Sequence, residues 1–124
     1  AGHDVVMAPY HTTYFDYYQS EDRANEPLAI GNFTPLEKVC AYEPIPANLD
    51  AQHTGRVLGA QCQLWTEYTP TPAAAEYMLY PRLPAFAEAV WTPKVRRDPD
   101  GLLKGLKAHQ HRLSLLGVAQ RLMV

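Results

Sequence analysis

Cysteine is nearly absent from this chain: two residues in 124, Cys40 and Cys62. One possible pair is not a disulfide framework, which sets aside the small cross-linked scaffolds. Long apolar runs are missing as well, and none approaches the ~20 residues that a membrane-spanning helix needs. Neither sign of charge dominates. Eleven Lys and Arg against thirteen Asp and Glu leave a formal net charge of -2, so nothing calls for nucleic acid as a partner. No internal repeat or low-complexity tract interrupts the sequence. What remains is the composition of a globular chain, 47% hydrophobic and 19% charged, long enough for one domain with a modest core.

Charge is uneven along the chain. The late basic residues Lys94, Arg96, Arg97, Lys104, Lys107, Arg112 and Arg121 read as a solvated helix face. The chain opens at Ala1 and runs straight into Val5-Val6-Met7-Ala8, with no initiator Met or leader. That opening is expected of a fragment.

Strand and helix signals alternate. Val5 to Ala8, ended by Pro9, predicts a fully buried strand. An aromatic stretch from Tyr10 to Tyr18 follows, then a polar loop from Gln19 to Glu26 that reads as surface. Thr34-Pro35-Leu36-Glu37 has the form of a capping box opening a short helix. Val57 to Trp65 predicts a second strand. Thr71-Pro72 opens another helix, which Pro81 and Pro84 must kink or split and Thr92-Pro93 must stop. Asp98-Pro99-Asp100 starts a last helix. Its apolar stripe is Leu102, Leu106, His109, Leu113 and Leu116, and Gly117 is placed to end it. His109 and His111 do not share a helix face, so no metal site is expected.

The second strand has two unlike faces, because alternate residues point to opposite sides. Leu58, Ala60, Cys62 and Leu64 form an apolar face suited to packing against helices, with Cys62 as a small buried thiol. Gln61, Gln63, Trp65 and Glu67 form a polar face ending on an aromatic ring and a carboxylate. Strands alternating with helices imply a parallel α/β sheet, yet two strands alone leave both edges open. A closed (β/α)8 TIM barrel accounts for both faces, since one meets the outer helices and the other points inward. Functional groups then gather at the C-terminal strand ends. Trp65 and Glu67 stand there on the second strand, and Tyr14 and Asp16 stand beyond the first in the same spacing. An aromatic ring beside a carboxylate suits a sugar, whose C–H faces lie on the ring and whose hydroxyls donate to the acid.

The stretches Val5-Val6-Met7-Ala8-Pro9, Tyr14-Phe15-Asp16-Tyr17, Tyr42-Glu43-Pro44-Ile45-Pro46 and Leu58-Gly59-Ala60-Gln61 through Trp65-Thr66-Glu67 carry a resemblance. So do Glu76-Tyr77-Met78-Leu79-Tyr80-Pro81-Arg82, Ala87-Glu88-Ala89-Val90-Trp91, and Arg112-Leu113 with Leu116-Gly117-Val118. In that order they resemble the C-terminal portion of a β-N-acetylhexosaminidase of glycoside hydrolase family 20. The resemblance implies that residues 1–124 form one C-terminal fragment of a catalytic barrel: strands seven and eight, their helices and a C-terminal helix, with no second domain. It implies retaining exo cleavage of N-acetylhexosamine-terminated glycans by substrate assistance, without a cofactor. By the same resemblance Tyr14 positions the substrate acetamide, Trp65 walls the pocket, and Asp16 and Glu67 bind sugar hydroxyls.

One departure matters. The family's adjacent Asp-Glu pair is missing, and the only adjacent acids, Glu21-Asp22, lie in a polar loop with no strand before them. The isolated chain is therefore expected to be inactive, and to need the rest of a barrel or to self-associate. Two other readings stay open: a different glycosidase with Asp16 and Glu67 as its carboxylate pair, and a non-catalytic carbohydrate-binding module.

Overall fold

Two short strands pair in parallel, as the alternating signals predict. In the computed structural model, which describes residues 2–123, β1 (Val5–Met7) pairs with β2 (Val57–Ala60). Val5 is opposite Val57, Val6 opposite Gly59 and Met7 opposite Ala60, with an irregularity between Val5 and Val6. Gly59 takes it up at φ +151°, a conformation that side-chain-bearing residues rarely adopt.

Both strands are shorter than the sequence suggests. Pro9 has no N–H to give a ladder, and its carbonyl accepts from Thr12 and Thr13 N–H at 2.9 and 3.0 Å. That closes a single helical turn, α1 (Tyr10–Thr13). The two chains then meet again. Gln63 N–H donates to Thr13 at 2.9 Å and Phe15 N–H donates to Gln63 at 2.7 Å, forming a lone parallel bridge between Tyr14 and Gln63.

Four more helices follow: α2 (Leu36–Cys40), α3 (Pro72–Leu79), α4 (Arg82–Trp91) and α5 (Pro99–Leu115). Thr71 Oγ1 caps α3 through Ala74 N–H at 3.1 Å, and Asp98 Oδ1 caps α5 through Gly101 N–H at 3.0 Å. Pro81, at the N-cap of α4, divides α3 from α4 as expected, whereas Pro84 sits within the first turn of α4, where its missing N–H has no helical partner to lose. Gly117, at φ +73°, lets Val118 N–H return to the Leu113 carbonyl at 3.0 Å and close α5. The capping box predicted at α2 does not form. Thr34 is fully buried, its N–H donates to Tyr18 at 2.9 Å, and Pro35 takes the cap position with no side-chain bond. The extended pairing of Tyr18 with Phe33 holds Thr34 away from the helix end.

The main core joins α2, α4 and α5 through Phe15, Val39, Tyr42, Ala85, Phe86, Ala89 and Leu106. Ala60 and Cys62 pack against it, and Leu64 packs against a smaller cluster of Tyr18, Ala29 and Met78. The apolar face of the second strand thus meets helices for three of its four residues. Leu58, the fourth, is exposed. Val5 and Val6 are exposed too, against the expectation of a fully buried first strand. With only one neighbour each, the two strands leave their outer edges uncovered. Leu116 falls at the C-cap of α5, beyond the packed part of the stripe, and is exposed.

Two of the late basic residues are structural and not solvated. Arg97 donates to the carbonyls of Thr92, Tyr42 and Ala89 at 3.0, 2.7 and 2.5 Å and pairs with Glu43 at 3.2 Å. Arg121 pairs with Glu26 at 2.8 Å. Both cysteines are free and half-buried, and burial raises both thiols above their ordinary range.

Candidate functional site

The bridge between Tyr14 and Gln63 decides what lies beside what. Phe15 turns inward, fully buried, with its ring edge-on to Phe86 at 6.1 Å. The residues on either side of it alternate away from that core. Tyr14 is half-buried, its ring 5.8 Å from that of Tyr17. Asp16 is buried at 5% exposure, yet its Oδ1 finds no hydrogen-bond donor among the described residues. A buried acceptor left open is costly unless something else supplies the donor.

Across the bridge, Trp65 and Glu67 are exposed. They are nonetheless close to Asp16. Burial is the largest influence on its carboxyl and raises it; the negative charge of Glu67 raises it further. The backbone N–H of Asp16 itself, the Arg82 guanidinium and the Trp65 N–H pull the other way, and the net direction is upward. Asp16, Trp65 and Glu67 are thus brought together, with Tyr14, the bridge partner of Gln63, two residues before Asp16. Surface hollows of about 620 and 460 Å³ run along α2 and α5, and none of the four residues lines them.

Arg82 is the residue whose importance the sequence hid. It is fully buried. Its Nη2 donates to the Phe15 and Met78 carbonyls, each at 2.6 Å, and its Nη1 to those of Tyr17 and Thr34, each at 3.0 Å. Nε adds a bond to Met78 at 3.2 Å, and the guanidinium carbon sits 4.8 Å from the Phe15 ring centre. Burial lowers its pKa to about 9, against the opposing charges of Glu26 and Asp16, so it stays cationic at neutral pH. The available signal was a lone charge in an otherwise apolar run, Leu79-Tyr80-Pro81-Arg82-Leu83-Pro84-Ala85-Phe86.

The loop from Gln19 to Glu26 is not simply surface. Gln19 is buried and donates to the Tyr77 carbonyl at 2.6 Å, while Glu26 accepts from Tyr77 Oη at 3.3 Å and from Arg121 Nε at 2.8 Å. Only its middle, 21–25, is exposed. Among the described residues no three His, Cys, Asp or Glu side chains are grouped to hold a metal. His109 instead stands by the Tyr80 ring at 6.4 Å.

Parallel strands with carboxylates and aromatic rings gathered just past their carboxyl ends define an α/β protein of the kind that works from its strand ends. The chain belongs to glycosyl hydrolase family 20: the model of that family's catalytic domain matches residues 1–94. It is 44% identical over 117 residues to a β-hexosaminidase of Porphyromonas gingivalis, covering 94% of this chain and 15% of the relative. Among solved structures it is similar to the family 20 exo-β-N-acetylglucosaminidase of Vibrio harveyi in complex with N-acetylglucosamine. That match has a TM-score of 0.81 and 42% identity, over 96% of this chain and 19% of that one. A mutant β-hexosaminidase of Streptomyces plicatus in complex with its product gives a TM-score of 0.83 at 25% identity, over 97% and 24% of the two chains. These family 20 structures have a TIM-barrel catalytic domain. The chain spans 13% to 26% of the length of the relatives it matches.

Proposed function

We propose that this chain is the C-terminal part of the catalytic barrel of a retaining exo-β-N-acetylhexosaminidase, contributing strands seven and eight, their helices and the C-terminal helix. Residues 1–124 form one unit of that barrel. The whole protein hydrolyses terminal N-acetylhexosamine by substrate assistance, in which the substrate's acetamide oxygen attacks the anomeric carbon and the leaving oxygen takes a proton. Tyr14 holds the acetamide oxygen in line, a positioning role. Trp65 lies against the sugar, and Asp16 and Glu67 accept from its outer hydroxyls. The general acid and the carboxylate that steadies the acetamide N–H come from outside this chain. General acid catalysis alone is worth ~10²–10⁴, so these residues by themselves do not turn over substrate.

The observation that carries this reading is Asp16: a carboxylate buried beside Trp65 and Glu67, with one oxygen unpartnered among the described residues. A sugar hydroxyl is the donor it lacks. The same observation gives the rival glycosidase a foothold. A carboxyl raised by burial and by a neighbouring charge has the character of a general acid, with Glu67 as the candidate nucleophile.

Azide separates the two in the whole protein. An external anion replaces a lost nucleophilic carboxylate but cannot replace a grip on a hydroxyl. On the proposed reading, Asp16→Ala and Glu67→Ala are not rescued by azide. Rescue with release of a glycosyl azide at either position assigns the chemistry to the Asp16–Glu67 pair.

A further inference from the structure

We infer that Arg82 is a positioning residue for the sugar-binding end, its guanidinium fork fixing the backbone on both sides of Asp16 and so setting where that carboxylate meets substrate. The inference rests on the proposed reading of Asp16 as a sugar ligand. Two of the fork's acceptors, the carbonyls of Phe15 and Tyr17, belong to the residues immediately before and after Asp16. The other two, Thr34 and Met78, belong to the approach to α2 and to α3. One rigid plane therefore ties the Asp16 peptide to two elements that the main and smaller cores hold in place. A carboxylate gripping a hydroxyl must be held within about half an ångström, and Asp16 lies beyond the end of β1, past the single Tyr14–Gln63 bridge.

A solely structural role fits less well. Buried cations are weak sources of stability, and apolar replacements of similar volume are often neutral or better. Here the cation is fully buried and every donor goes to a main-chain carbonyl rather than to a carboxylate. A fork is needed to reach four carbonyls from one point; an ammonium is a single point charge. The cation also acts on Asp16 across space. The charged or titratable groups around Asp16 are Glu67 and Arg82, and those around Arg82 are Glu26, Asp16, Arg121 and Tyr77. Arg82 is the one that favours an ionised Asp16, the form that accepts from a hydroxyl.

The test is a double-mutant cycle in the whole protein: Arg82→Lys, Asp16→Asn and both, with kcat and KM for an aryl N-acetylhexosaminide measured across pH. Arg82→Lys is expected to lower kcat/KM about tenfold, mainly through KM, the scale of one charge-assisted contact. Arg82→Gln, which also loses the cation, should move the acid limb of kcat/KM upward, because Asp16 then protonates more easily. In the Asp16→Asn background both effects should largely vanish. Equal losses in the two backgrounds, with an unmoved acid limb, would make Arg82 a core residue only. If Arg82→Lys does not fold, Arg82→Gln alone runs through the same cycle and reads both effects. If Asp16→Asn itself leaves KM unchanged, Asp16 is not a ligand and both readings fall together. Additive losses beside a real Asp16 effect overturn the Arg82 inference alone.

Discussion

Tyr14 and Gln63 form a parallel bridge after both strands have ended, and this bridge, more than β1–β2 pairing, sets the distance between the candidate sugar ligands. Met7 and Ala60 are the last strand pair. Between them and the bridge, one side spends six residues, including the turn α1, and the other spends two. The unequal detour delivers Tyr14-Phe15-Asp16 alongside Gln63-Leu64-Trp65 with Asp16 buried and Trp65 open.

In the whole protein, Asp16→Asn and Glu67→Gln should each cost roughly one to two decades in kcat/KM, since a charge-assisted hydrogen bond is worth ~1.5–3 kcal/mol. Part of that loss falls on kcat where binding energy is used for distortion. Tyr14→Phe should behave differently, losing kcat with KM little changed. Steady-state kinetics on one substrate compares all three.

Burial raises Asp16, and the sign of its effect on stability follows. The unfolded carboxyl ionises at its ordinary value near 3.9, and the folded one only at higher pH. Ionised Asp16 therefore opposes folding fully above its raised value. The penalty fades as pH falls through the interval between the raised and ordinary values. Asp16→Asn should thus raise Tm at neutral pH, and the gap between variant and parent should close in acid. A variant less stable than the parent at neutral pH, by thermal melts across pH, contradicts the account.

Arg97 closes the C-terminal end of α4 through Thr92 and Ala89 and reaches Tyr42 and Glu43. Its side chain is largely buried. Arg97→Met should cost ~2–4 kcal/mol, because Glu43 and three carbonyls lose their donor together. Denaturant titration of the whole protein gives the value, and activity of the folded fraction should be unchanged.

Expressed alone, the chain should not behave as a monomer with a cooperative melt. Val5, Val6, Leu58, Ile45, Trp91 and Val95 are all exposed, and both strands have an open edge. Sedimentation velocity is expected to show self-association. A single 13.9 kDa species that melts sharply would mean that the helical core suffices.

The elements with local chemistry were legible from sequence. Thr71-Pro72 and Asp98-Pro99 announce α3 and α5 because capping is decided within four residues. The matched spacing of Tyr14 with Asp16 and of Trp65 with Glu67 pointed to neighbouring groups, since alternation along a strand is also local. Thr34 misled because its backbone is claimed by Tyr18, sixteen residues away. The contacts of Arg82 could not be read, although its lone charge in an apolar run was visible. Its acceptors Phe15, Tyr17 and Thr34 lie 67, 65 and 48 residues off, and no periodicity encodes such a meeting. The exposure of Val5, Val6 and Leu58 was hidden because an apolar run states a need for cover without saying who provides it.

The ion pair of Glu26 with Arg121 spans 95 residues, and Ala119 N–H reaches Glu76 at 2.9 Å beside it. The loop after Asp16 and the tail after α5 are therefore tied to each other by contact. Exchange of segment 19–34 with a relative's should be tolerated when the partner's tail travels with it. Charge reversal at position 26 should be repaired by reversal at 121. Recombination that separates them leaves a buried carboxylate without its cation, close to the cluster that Arg82 balances.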